Sequence, residues 1–324
     1  MPIRHATLHQ LKIFDTVARR MSFARAAEEL NLTPPALSIQ VKQLAEIIGQ
    51  PLFEQVGKKI YLTPAGEAMT TACRDILDRL ECVAQELAAL QGLEKGSLKL
   101  AILSTAKYFI PHLLAGFCEK HAGVDTALFV GNRETLLERL AHNQDDLYIL
   151  GQLPEHMNVV VEPFADNPLV VVVRADHPLA SENDIEPSRL RGEPFIKREL
   201  GSGTRLAAEK FFEEHDVVLK TRMELGSNEA IKQSVSAGLG ISVLSASTIH
   251  AEIVKGELAV LDVRGFPLKR QWNVVYPAGK QLTPSSRAFI DHLFATSPNH
   301  WFDRLQVHTS ARSAARKKRR ASSD

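Results

Sequence analysis

The sequence predicts two folds in succession: an all-α N-terminal part ending in one long helix, then an α/β domain in two similar halves. Three observations predict it. Residues 7–49 contain three runs with apolar side chains at helical spacing, each opened by a capping residue. Residues 64–92 hold one helical period well beyond the length of an ordinary globular helix. From Gly96 onward, short β-type apolar runs alternate with helical ones, the rhythm of a mostly parallel sheet with helices on both faces.

Bulk properties agree with this and exclude several classes. With 324 residues, 44% hydrophobic and 24% charged, the chain suits two or three domains of ordinary composition. No apolar run approaches the roughly 18 residues that cross a bilayer. The residues after Met1 form no signal-peptide core. Cys73, Cys82 and Cys118 make no CxxC pair, which argues against a disulfide framework or a zinc finger. The cytoplasm is the expected compartment, with no membrane partner, no metal and no cofactor. Net charge is +1, but within residues 311–324 Arg312, Arg316, Lys317, Lys318, Arg319 and Arg320 face only Asp324. Residues 301–324 read as a basic, disordered tail, since small residues surround the charges; contact with DNA phosphates is the alternative.

Thr7 and Gln10 form a capping box ahead of Leu8, Leu11, Phe14, Val17 and Ala18, giving a first helix to about Arg20. Ser22 caps a short second helix with Phe23, Ala26, Ala27 and Leu30 inward. Thr33 caps a third, with Pro34 at its first position, where a missing N–H costs nothing, and Gly49 stops it. Its buried stripe, Leu37, Val41, Leu44 and Ile48, turns Pro35, Ser38, Gln40 and Lys42 outward. Short donors and acceptors plus a cation, early on a helix that follows a tight turn, suit base edges in the major groove. Leu52-Phe53 and Ile60-Tyr61-Leu62 read as strands around Gly57-Lys58-Lys59, a basic hairpin tip suited to phosphate. Residues 1–63 are thus read as a winged helix-turn-helix. Its candidate DNA-binding residues are Ser22, Thr33, Pro34, Pro35, Ser38, Gln40, Lys42, Lys58 and Lys59; a three-helix packing domain with a solvated face is the alternative.

Thr63 caps and Pro64 opens a linker helix over 64–92, closed by Gly92. Met69, Ala72, Ile76, Leu80, Val83, Leu87 and Leu90 recur at three- and four-residue steps, a coiled-coil seam. Such a seam must be buried, either on the twin helix of a homodimer or on the chain's own C-terminal domain. Met69, Ile76, Leu80, Val83 and Leu87 are the candidate dimerisation residues.

Residues 96–300 read as an α/β effector-binding domain of two Rossmann-like subdomains, 96–163 with 268–300, and 164–267. Crossing strands near 163–168 and 262–269 join them, an architecture similar to that of periplasmic binding proteins. Ligands of such sheets bind beyond the carboxyl ends of the strands, at helix N-termini. Those positions collect Ser104, Thr105 and Lys107 after the first strand, Asn132 and Arg133 after the second, and Gly151-Gln152 after the third. The second half adds Gly201, Ser202, Gly203 and Thr204, then Ser227 and Asn228, with Arg205 a further cation. Each is an ordinary cap or turn by itself. Together, hydroxyls, amides and cations with few carboxylates suit a small anion, a sugar phosphate or a carboxylate.

Residues 6–66 resemble the LysR-type winged helix-turn-helix: Ser22-Phe23 with Ala26-Ala27, Leu32-Thr33-Pro34-Pro35-Ala36-Leu37-Ser38, Leu52-Phe53-Glu54, and Leu62-Thr63-Pro64-Ala65-Gly66. The resemblance runs along nearly the whole chain. Ile39 and Ala45 depart from it, standing where the family usually has Arg and Glu. Farther on, Ser104 to Phe109, Gly131-Asn132-Arg133-Glu134, Asp146 to Ile149 and Ser227 to Ile231 resemble regulators of Calvin-cycle and inorganic-carbon-uptake operons, the CbbR and CmpR type. Leu200 replaces the family's Pro before Gly-Ser-Gly-Thr-Arg. The resemblance implies an activator that binds a double-stranded operator as a homodimer or homotetramer, works with RNA polymerase, and responds to metabolites such as ribulose bisphosphate or phosphoglycolate. A LysR-type regulator of another metabolic operon is the nearest alternative. A solute-binding protein or an enzyme is more distant, because no HExxH, GxSxG or Walker lysine is present. No catalytic residue is assigned.

Overall fold

The computed structural model describes residues 2–57, 59–90, 95–151, 153 and 157–296. Two compact units divide the chain. One contains the described residues of Met1–Leu93, Ala141–Gln144 and Gly279–Pro284, the other those of Glu94–Leu140, Asp145–Ala278 and Ser285–Asp324.

In the first unit, helices α1 (Leu8–Arg20), α2 (Phe23–Leu30) and α3 (Pro34–Ile48) precede a hairpin of β1 (Phe53–Val56) and β2 (Lys59–Leu62) and the long α4 (Pro64–Leu90). The starts follow the capping chemistry. Gln10 N–H donates to Thr7 Oγ1 at 3.2 Å while Thr7 N–H donates to Gln10 Oε1 at 3.0 Å. Ser22 and Thr33 Oγ atoms accept from the Arg25 and Ala36 amides. Gly49, at φ +82°, stops α3. Ile13, Val17, Ala26, Ala27, Leu37 and Val41 form one core patch. Leu11, Phe14, Leu44, Leu52, Met69 and Cys73 form another beneath the hairpin. Gly66 makes that second patch possible, because a Cβ there would stand 2.1 Å from the Leu52 carbonyl oxygen.

The linker helix α4 carries two different faces. Met69 belongs to the core beneath the hairpin, so the exposed stripe begins later than the seven-residue pattern suggests. The reason is packing: the first turns of α4 lie against α1 and take Met69 inward. Farther along, Ile76, Leu80 and Leu87 are exposed and Val83 is half-buried. The opposite face is polar and anchored. Arg74 Nε donates to Asp15 Oδ1 at 3.1 Å, and Lys280 Nζ donates to Asp78 Oδ2 at 2.9 Å and to Asn143 Oδ1 at 2.6 Å. Gln91, Gly92, Lys58, Gln152 and the 301–324 tail lie outside the described residues.

The second unit is two sheets of matching design. The first runs β4 (Val124–Gly131), β3 (Gly96–Leu103), β5 (Leu147–Leu150), β12 (Gln271–Pro277), β6 (Val159–Asp166), with α5 (Ile110–Lys120), α6 (Arg133–Ala141) and α10 (Pro284–Ala295). In the second lobe β8 (Pro194–Arg198) pairs with β9 (Lys220–Leu225), while β7 (Leu169–Arg174) sits between β10 (Ser242–Ser245) and β11 (Leu258–Val260). A Phe195–Ile241 bridge joins the two pieces, and α7 (Gly203–Glu214), α8 (Asn228–Ser236) and α9 (His250–Lys255) cover them. In each lobe a single strand runs against its neighbours, β12 in the first and β7 in the second. Both are the first strand after the chain crosses between lobes. The segments linking the lobes are themselves paired: Leu169 and Leu268 exchange backbone hydrogen bonds at 3.0 Å.

Three pieces of this arrangement differ from the pattern read in the sequence. Strands β8 and β11 are too short or too mixed in polarity to stand out. The helix expected from Tyr108 begins at Ile110, after a separate turn over Ala106–Tyr108, because Pro111 fits only in a first turn.

Candidate functional site

On the first unit, the outer face of α3 presents Pro35, Ser38 and Lys42, all exposed, with Gln40 half-buried at its edge. Ile39 lies on the same face and is 55% exposed. Ser22 and Thr33 sit at helix starts, where their hydroxyls accept backbone N–H groups. Pro34 and Lys59 are exposed, and Gly57 turns the hairpin at φ +64°. The face therefore offers a hydroxyl, a cation and an apolar β-branched side chain on one helix, beside a basic strand start.

In the second unit a solvent-open cleft of about 660 Å³ lies between the lobes. Ser104 and Thr105 enter it after β3, Asn132 and Arg133 at the start of α6, and Ser202, Gly203 and Thr204 at the start of α7. Asn132 Oδ1 accepts the Thr135 amide at 2.9 Å and Ser202 Oγ that of Arg205 at 3.5 Å. Two helix N-termini, each a positive dipole end, thus open on one cavity.

Three polar lining residues were not anticipated from the sequence: Asn167, Arg198 and Arg270. Arg198 is 4% exposed and donates to Asn228 Oδ1 at 2.6 Å, to Glu199 at 2.7 and 2.8 Å, and to Ser104 Oγ at 3.4 Å. Burial lowers the pKa of Arg133 below the ordinary arginine value. It lowers that of Arg270 too, and the positive charge of Arg133 adds to the effect. Both remain cations at any physiological pH. Two guanidinium groups that feel each other's charge while partly desolvated make a cavity that favours anions.

Other residues singled out in the sequence stand elsewhere. Lys107 pairs with Glu229 at 3.6 Å and does not line the cleft. Asn228 supports Arg198 from behind. Gly201 is not among the lining residues; it precedes Ser202 in the left-handed region, φ +79°, where a Cβ would meet Glu134 Oε2 at 2.5 Å. Its carbonyl accepts the Glu134 amide from the other lobe at 3.3 Å. Arg205 is engaged by Glu209 and Glu224. A further bridge between lobes runs from the Tyr108 hydroxyl to the Glu229 carboxylate. Burial, and then that carboxylate, raise the Tyr108 pKa, so the phenol keeps its proton and remains a donor.

Among the described residues no cluster of His, Cys, Asp or Glu is arranged to hold a metal ion. No described helix is long and apolar enough to cross a membrane.

Known proteins match both units. Residues 8–67 fit the family described as bacterial regulatory helix-turn-helix protein, lysR family, and residues 91–297 fit the LysR substrate binding domain. The RuBisCO operon transcriptional regulator of Acidithiobacillus ferrooxidans is 76% identical over 297 residues, 92% of this chain and 96% of that one. The transcriptional activator CmpR of Synechocystis is 49% identical over 293 residues, 90% of this chain and 96% of that one. Among solved structures, the CcmR regulatory domain of Synechocystis in complex with 2-PG is 49% identical, with a TM-score of 0.62 over 63% of this chain and 99% of that one. A full-length OxyR variant from Pseudomonas aeruginosa is 25% identical, with a TM-score of 0.71 over 89% of this chain and 93% of that one. With both family domains matched in order and relatives aligned along nearly its whole length, the chain belongs to the LysR family of bacterial transcriptional regulators and is not an enzyme.

Proposed function

We propose that the protein is a cytoplasmic activator of carbon-fixation or carbon-uptake genes, modulated by a small phosphate- or carboxylate-bearing anion. The observation that carries the effector reading is the cleft, where Arg133, Arg198 and Arg270 converge with two helix N-termini. Relatives named for the RuBisCO operon and a related domain in complex with 2-PG support the choice of genes and of anion. The α3 face reads base edges and the β1–β2 hairpin contacts phosphate. The stripe of Ile76, Leu80, Val83 and Leu87 pairs with that of a second copy, dimers assemble into tetramers, and RNA polymerase is the further partner. An anion held between the lobes changes the DNA-bound assembly only through different affinity for different lobe orientations.

The deciding experiment combines nuclease protection of DNA beside the protein's own gene with calorimetry. Specific protection that changes on adding 2-phosphoglycolate or ribulose bisphosphate, with heat of binding for the same compound, is expected. Protection of no specific site, or indifference to every phosphate and carboxylate tried, would remove the reading.

A further inference from the structure

We propose that Asn167 reads the bound anion directly, and that Ser245 is the positioning residue that aims its amide. The proposal rests on the anion reading of the cleft and deepens it. Asn167 stands between β6 and β7 in a crossing segment, is 6% exposed and lines the cleft. Its backbone N–H donates to the Arg270 carbonyl at 2.7 Å, so the two crossing segments are tied together at two residues that line the cleft. Its side-chain oxygen accepts from Ser245 Oγ at 2.7 Å. Ser245 is 1% exposed and lies 2.8 Å from Ser247 Oγ, which fixes the hydroxyl in turn.

An amide with its oxygen engaged has its nitrogen at the opposite end, carrying two donors. Asn167 Nδ2 has no hydrogen-bond partner among the described residues, yet it is not sealed away from solvent. Gly151, another lining residue, leaves it uncovered: a Cβ at Gly151 would stand 3.8 Å from that nitrogen. The molecule thus holds a neutral donor, oriented from behind by a buried hydroxyl, facing the cavity beside Arg133 and Arg270. A ligand that covers this N–H without offering an acceptor leaves it desolvated and unpaired, which is costly. Arginines select for charge; Asn167 selects for an oxygen at one place, the kind of group that gives a site its discrimination.

Calorimetry on the full chain, with 2-phosphoglycolate and inorganic phosphate as probes, tests this. Asn167→Asp keeps an acceptor for Ser245 and replaces the donor with negative charge. Its affinity for both probes is expected to fall about a hundredfold, the sum of a lost charge-assisted hydrogen bond and a new repulsion. Ser245→Ala leaves the amide unaimed and should cost about fivefold, within the range for one neutral hydrogen bond. In an Asn167→Ala background Ser245→Ala should cost nothing more, a non-additivity that a merely structural serine would not show. Ser245→Ala alone carries the test if Asn167→Asp fails to fold. If both single variants bind like wild type while Arg133→Ala binds poorly, Asn167 is only a hinge residue and the anion reading stands. If wild type binds neither these probes nor any other oxyanion, the anion reading falls and this proposal falls with it.

Discussion

Arg133 reaches the cleft from the first residue of α6, with its aliphatic stem beside Gly203: a Cβ at that glycine would stand 3.2 Å from Arg133 Cδ. Removing the guanidinium by Arg133→Ala should weaken anion binding by about 1.5–3 kcal/mol, roughly ten- to a hundredfold, measured by calorimetry. Unchanged affinity would move the site elsewhere. On the DNA side, Ser38→Ala should lose about 1–3 kcal/mol at the specific site and little on random DNA. Lys59→Ala should weaken both alike and lower the salt slope by about one charge. Competition footprinting over a salt series separates the two, and equal losses for both variants on both DNAs would refute the assignment. A fourth residue bears on pH. His292 is nearly buried, with Nε2 3.0 Å from the Leu113 carbonyl, and burial lowers its pKa from the ordinary 6.5. Just below that value the unfolded chain takes up a proton that the folded chain refuses, so stability is present above it and falls as pH drops. His292→Gln should flatten this acid-side slope in chemical denaturation; an unchanged slope would exclude His292 as its source. At this scale the sequence made the turns legible, since Ser104, Thr105, Asn132, Arg133 and Ser202 follow strands or open helices. Asn167, Arg198 and Arg270 were hidden because they come from crossing segments and a strand end, where no helix-start signal marks them.

The linker helix shows how far periodicity reaches for an element. Its three- and four-residue steps identify the stripe of Ile76, Leu80 and Leu87, which the single chain leaves exposed. They do not reveal that the first turns belong to another core, because Met69 opens the same apolar pattern while sharing a core with Cys73, Leu11 and Phe14. Nor do they show the polar anchoring of Asp78 by Lys280, residues some two hundred positions apart. A helix fixed along one face and bare along the other suits pairing with a twin. Leu80→Asp places a carboxylate in the stripe and should dissociate the assembly to monomers. Sedimentation velocity reads the outcome directly, and an unchanged oligomer would mean that the stripe is not the interface. Met69→Asp should instead destabilise the hairpin core, which a lower unfolding temperature would report.

At the scale of the whole molecule, the alternation of short strands and helices announced an α/β domain in two lobes with two crossings. It did not announce the shared plan of the sheets, because strand order depends on pairing between distant residues. That plan fixes an order of events in time. The second sheet is complete once the chain has been made through β11, from a continuous stretch beginning at β7. The first sheet, begun at β3, still lacks β12, which belongs between β5 and β6. The lobe whose synthesis starts first is therefore the last to close. Domains commonly fold in the order they leave the ribosome; here the order is inverted. Nascent chains halted when Leu261 but not yet Gln271 has emerged from the ribosome should resist protease across 169–260 and be cut within 96–166, with protection of both lobes arriving only after Pro277 has emerged.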